Sequence, residues 1–166
     1  MSDWRYRLEQ LVSYYQAHDR FIEPFFHFDP RQPDGAAWPA ELPTHAPLAD
    51  FYARCGQGEV GPGVLFVPLA ELASTTREWI DNLKDYDARG DVLFAGRHIV
   101  FATDGAGVPW VLDVHSGEVA SFYPRGGGWE EPRYPSFDAF MNNLFDGPTR
   151  HEQWRQVRNA VRGTVD

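Results

Sequence analysis

The chain has one cysteine, Cys55, so it forms no disulfide within itself, in keeping with a reducing compartment. It has no long apolar run. Val64-Leu65-Phe66-Val67 is typical, against the roughly 20 residues of a membrane-spanning helix, and membrane insertion is excluded on that ground. Positive charge is scarce: 15 Lys and Arg face 24 Asp and Glu, a formal net charge of −9. Such a surface repels nucleic-acid phosphates and anionic membranes and attracts a basic protein. Met1-Ser2-Asp3-Trp4-Arg5 leads into an amphipathic pattern rather than an apolar signal region, which implies a cytoplasmic chain. No H-x-H, H-E-x-x-H or C-x-x-C occurs, so neither a metal nor a cofactor is expected.

What is present suits a single domain over 1–166, rich in rings, with 6 Trp, 7 Tyr and 12 Phe. Trp4, Leu8, Leu11, Val12 and Tyr15 recur at helical spacing, predicting a helix over about 3–18 capped by Asp3 or Ser2. The stretch 22–46 is dense in proline, which forbids a helix interior and reads as a segment wrapped over the surface. Pro47 opens a stripe of Leu48, Phe51, Tyr52 and Cys55 that stops at Gly56. Val64–Val67 reads as a buried strand, and Thr75 with Glu78 as a capping box for a helix over about 75–85.

From Asp91 the period changes. The runs 91–95, 98–103, 108–115 and 118–123 are short, rich in β-formers and separated by glycine-containing turns, predicting an antiparallel meander. Ser136 caps a stripe of Phe137, Phe140, Met141 and Leu144, and Thr149 with Glu152 opens a last, arginine-rich helix over 148–162. Strands clustered between N- and C-terminal helices make the expected class α+β with a central antiparallel sheet.

Chemical motifs are few. Gly56-Gln57-Gly58-Glu59-Val60-Gly61 matches G-x-G-x-x-G, but a helix precedes it and a strand follows, the reverse of a dinucleotide site, so it reads as a helix C-cap and turn. Gly126-Gly127-Gly128 lacks the Lys-Ser or Lys-Thr of a phosphate loop and reads as a flexible connection. Cys55 lies on an apolar stripe, where a thiol packs. Asp113 and His115, two apart on a strand, share a face, but two ligands fall short of a metal site.

Charge is the more informative signal. Arg150, Arg155, Arg158 and Arg162 against Glu152 make the last helix positive, and the rest of the chain is correspondingly more acidic. Asp81, Asp85 and Asp87 fall at one helix end and its following loop, while Glu130 and Glu131 sit beside Trp129 and Tyr134. Carboxylates steer a basic partner and exposed aromatic rings anchor it, so these seven residues are the candidate partner-binding set.

Leu48-Ala49-Asp50-Phe51-Tyr52 closing on Gly56, with Val64-Leu65-Phe66-Val67-Pro68-Leu69 and Glu71-Leu72, resembles the opening half of the SUKH superfamily. That superfamily includes bacterial immunity proteins of polymorphic toxin systems and fungal regulators of cell-wall synthesis. Ile99 to Gly107, Trp110-Val111-Leu112-Asp113, Gly117-Glu118-Val119 and Ser136 to Phe140 resemble its second half. The likeness spans about 45–145. Cys55-Gly56 stands where the family's first helix usually ends in asparagine-glycine, and the Pro-rich and Arg-rich segments lie outside it. The resemblance implies an α+β fold with a central antiparallel sheet, no enzymatic activity, and binding of a partner protein. The expected function is an immunity protein that neutralises a cognate, basic toxin. A regulator or scaffold on the same fold is the alternative, and a small hydrolase using Asp113 and His115 is a third reading.

Overall fold

The structure is a computed structural model that describes residues 3–18, 28–29, 37–55, 57–59, 64–83, 93–124 and 128–146, with Arg155 and Asn159. Among them are four α-helices and seven strands. The first helix, α1 (Trp4–His18), begins where the Asp3 carboxylate accepts the Arg5 N–H at 3.1 Å, the cap expected from sequence. Its buried face is Trp4, Leu8, Leu11 and Tyr14; Val12 is half-buried, and the Tyr15 side chain lies outside the description.

The second helix, α2 (Ala46–Arg54), carries Pro47 in its first turn as expected, but its cap is His45, whose Nδ1 accepts the Leu48 N–H at 3.3 Å. The third, α3 (Leu72–Leu83), differs from its expected start. A 3₁₀ turn at Leu69–Glu71 runs straight into it, so the first helical turn lies ahead of Thr75 and the Thr75/Glu78 pair caps nothing. The fourth, α4 (Phe137–Asp146), starts as predicted, with Ser136 Oγ accepting the Ala139 N–H at 3.0 Å.

The strands are β1 (Phe28–Asp29), β2 (Gln57–Glu59), β3 (Leu65–Phe66), β4 (His98–Thr103), β5 (Pro109–Asp113), β6 (Val119–Tyr123) and β7 (Gly128–Trp129). They lie in the sheet in chain order and every neighbouring pair is antiparallel. The meander and the α+β class are therefore as the sequence indicates. One run departs from it: residues 93–95 form no strand. The Phe94 carbonyl accepts the N–H groups of Arg97 and His98, and the chain turns instead of pairing; Asp91 and Val92 lie outside the described residues. The G-x-G-x-x-G match is also not a simple turn, since β2 occupies its centre and pairs with both β1 and β3.

Of the Pro-rich 22–46 stretch, β1 and residues 37–46 are described, and Trp38 and Leu42 pack on the core. The predicted helix 148–162 lies outside the description except for Arg155 and Asn159, both helical.

Alternation of side chains divides the core between the two sheet faces. Phe66, Ile99, Phe101, Leu112 and Val119 meet α1, α2 and α4 on one face, while Val100, Val111 and Phe122 meet Ile80 and Leu83 of α3 on the other. A bulge between Val100 and Ala102 leaves Phe101 as the extra residue of β4, and its ring packs edge-on to Phe137 (5.5 Å) and Phe140 (5.5 Å). β3 is too short to pair with all of β4, and two side chains complete the backbone bonding there. Thr76 Oγ1 accepts the Val100 N–H at 3.1 Å, and the Tyr52 hydroxyl donates to the Val67 carbonyl at 2.5 Å.

The three helices on the first face are joined by charge. Arg5 of α1 lies over the Trp4 ring and reaches Asp50 of α2 and Asp138 of α4, and Arg54 bonds both Asp50 and Glu9. Among the described residues no helix is long and apolar enough to cross a membrane.

Candidate interaction surface

Cross-strand partners share a face of the sheet, so the register decides which candidate residues meet. Trp110 lies opposite Ser121, and Tyr123, two residues on, follows Ser121 onto the same face. The Ser121 hydroxyl bonds Glu130 Oε2 at 3.1 Å, and the Glu130 N–H donates to the Ser121 carbonyl at 3.0 Å. Tyr134 bridges to Val119 and brings its ring to 6.2 Å from Trp110 and 5.4 Å from Phe140 of α4. Its hydroxyl donates to Asn143 Oδ1, and burial raises its pKa. The result is an aromatic and acidic surface of Trp110, Ser121, Tyr123, Glu130 and Tyr134, with Tyr123 40% exposed.

The sequence candidates divide around this surface. Glu130 and Tyr134 belong to it. Glu131 is exposed beside it and pairs with Arg133 at 3.6 Å, so its charge is compensated locally. Trp129 turns to the opposite face, where it packs edge-on to Phe122 at 5.1 Å in the α3 cluster. Asp81 is exposed on α3. Asp85 and Asp87 lie outside the described residues. Sequence reading missed Tyr123 and Ser121, although the alternation within Val119–Tyr123 places both on one face. It also missed Phe94, which is 49% exposed and stacks on His98 beside Trp129.

The Asp113 and His115 pair does not share a strand face. β5 ends at Asp113, and His115 is exposed in the turn that follows. Asp113 Oδ1 accepts the N–H groups of His115 (2.9 Å) and Ser116 (3.3 Å), while Oδ2 accepts two N–H groups of Arg97 at 3.0 and 2.8 Å. Burial opposes ionisation of this carboxyl, but the guanidinium and the two backbone donors outweigh it and hold the pKa at about 2. The carboxylate thus closes a turn and pins Arg97. Gly117 completes that turn at φ +83°, a conformation that suits glycine. Cys55 is fully buried, with its thiol 3.6 Å from the Phe51 carbonyl, a packed position as expected. Among the described residues no three His, Cys, Asp or Glu side chains are grouped so that they could hold a metal ion.

No family model, curated protein or solved structure matches this chain.

Proposed function

We propose that this chain is a non-enzymatic protein-binding domain that works in the cytoplasm as an immunity protein, capturing a basic toxin and covering its active site. The observation that carries the reading is the face of the sheet at β6, which the exposed Tyr123 shares by strand alternation with Ser121, the residue bonded to the Glu130 carboxylate, and with Trp110 of the Trp110–Tyr134 pair. Aromatic rings next to a carboxylate are the composition of a binding hot spot for a basic partner, the rings excluding water and the charge orienting the encounter. The formal charge of −9 extends that attraction beyond the contact itself. The choice of a toxin as partner rests on the resemblance to SUKH immunity proteins, and it requires neither cofactor, nucleic acid nor membrane.

Co-expression with the open reading frame adjacent to its gene tests the proposal. Rescue of growth together with co-purification is the expected result, and Tyr123→Ala and Glu130→Gln each weaken both. Undiminished toxicity with no complex formed would sink the immunity reading. A complex that survives both substitutions unchanged would move the interface elsewhere.

A further inference from the structure

On the α3 side of the sheet, His98 lies at the start of β4 with 3% of its surface exposed. Its ring is 5.9 Å from Phe94, nearly parallel to it at 28°, and 5.5 Å from Trp129. Nδ1 accepts the Phe94 N–H at 2.8 Å, so the ring is neutral and carries its proton on Nε2. That one bond closes the 94–98 turn together with the two bonds to the Phe94 carbonyl. It is also a bond that only neutral histidine makes, because a proton on Nδ1 would point one donor at another.

The charged groups around the ring come from three places. Asp113 of β5 has Oδ2 3.9 Å from Nε2, beyond hydrogen-bond range, and that oxygen is already held by Arg97. Arg97 of the turn itself and His115 after β5 oppose a positive charge here, and Asp113 favours it. Phe94 and Trp129 add uncharged rings. Burial outweighs the Asp113 attraction, so the neutral form persists far into the acid range. Once charged, the ring loses its bond to Phe94 and gains a reason to swing toward Asp113, in competition with Arg97.

We propose that His98 is an acid-operated latch on the turn that presents Phe94. Neutral, it holds the turn closed and the Phe94 ring stacked; protonated, it turns to Asp113 and frees the turn while the sheet stays paired. Two discrete arrangements of one side chain therefore set the aromatic surface formed by Phe94 and Trp129. The device is intrinsic to the chain and independent of the partner proposed above.

The test is an NMR titration of the full chain from about pH 7.5 to about pH 3.5, following the His98 ring and the exchange of the Phe94 and Val111 amides, corrected for intrinsic exchange. The expected result is loss of Phe94 protection by roughly tenfold or more along the His98 titration, while Val111, in the middle of β5, stays protected. Arg97→Gln removes an opposing charge and frees Asp113, so it shifts the His98 and Phe94 midpoints upward together. Arg97→Lys keeps the charge and holds both near the wild-type midpoint. Phe94 protection that survives His98 protonation, or that is lost only together with Val111, overturns the latch. So does an Arg97→Gln shift of the His98 midpoint that Phe94 does not follow.

Discussion

The hydroxyl of Thr76 takes the place of a neighbouring strand for Val100. Oγ1 accepts the Val100 N–H at 3.1 Å and faces the Val100 carbonyl at 3.5 Å, both within the buried contact of α3 with β4. Thr76→Val keeps the shape and strands both backbone groups. The expected loss is about 1–3 kcal/mol in urea unfolding, with Thr76→Ser recovering most of it. A Thr76→Val protein as stable as wild type would mean that water satisfies Val100 instead.

Phe137 sits where α4 meets both α1 and the sheet, its ring 6.0 Å from Trp4, 6.4 Å from Phe51 and 5.5 Å from Phe101. Phe137→Ala removes contacts with three elements at once and is expected to cost about 3–5 kcal/mol, a large share of a typical domain's stability. Thermal unfolding measures it. The same truncation at Tyr123, a residue 40% exposed, should cost well under half as much.

Stability should fall as pH drops, in two windows. Folded His98 stays neutral down to about 4, whereas an unfolded histidine takes its proton near 6.5. Between those values the unfolded chain binds more protons, and folding weakens as pH falls. Burial lowers the His45 pKa also, so that residue acts in the same sense. Asp113 adds a second window, between its usual 3.8 and its folded value of about 2, where the unfolded chain again binds the extra proton. Chemical unfolding across pH checks this. His98→Gln should shrink the upper window to the part that His45 contributes, and Arg97→Gln should shrink the lower one.

Cys55→Ser should lower stability by about 1 kcal/mol and leave partner binding unchanged, because the thiol is enclosed at the end of α2 and no part of it reaches the surface. A folded Cys55→Ser protein that no longer binds would contradict that assignment.

Glu130 and Tyr123 should separate kinetically if the surface around β6 is the docking face. Glu130→Gln should slow association at low salt and reduce its salt dependence, while Tyr123→Ala should mainly speed dissociation. Stopped-flow association and competition-chase dissociation read the two effects separately. Asp81→Asn, on the other side of the sheet, should alter neither rate by much.

Local chemistry made several elements legible. Pro47 with the stripe ending at Cys55 bounded α2, and Ser136 marked the start of α4 in the usual way. His45 escaped notice because histidine is an uncommon cap, and its role depends on a neutral Nδ1 that sequence does not display. Thr75 and Glu78 imitated a helix start because the true start at Leu72 has a 3₁₀ turn, not a polar cap, ahead of it. Leu93-Phe94-Ala95 has the composition of a strand, and the bond from Phe94 to a histidine four residues on decided otherwise. At the surface, Glu130 and Tyr134 were readable as a pair, but the separation of Trp129 from them required the strand register. The meeting of Phe28 with Gly58 joins residues 30 apart and leaves no local trace.

Trp4 has one further consequence, for the order in which the protein is made. Its backbone N–H donates to Asn142 and its indole N–H to Asp138, residues about 135 positions later in the chain. A ribosome releases α1 first and α4 among the last elements described, whereas the strands can pair in the order they emerge. The part of the apolar side of the first helix that α4 covers therefore waits through most of translation, although α2 packs on it earlier. Until residues 137–146 are made, part of the apolar face of Trp4, Leu8 and Leu11 lacks its native cover on the nascent chain.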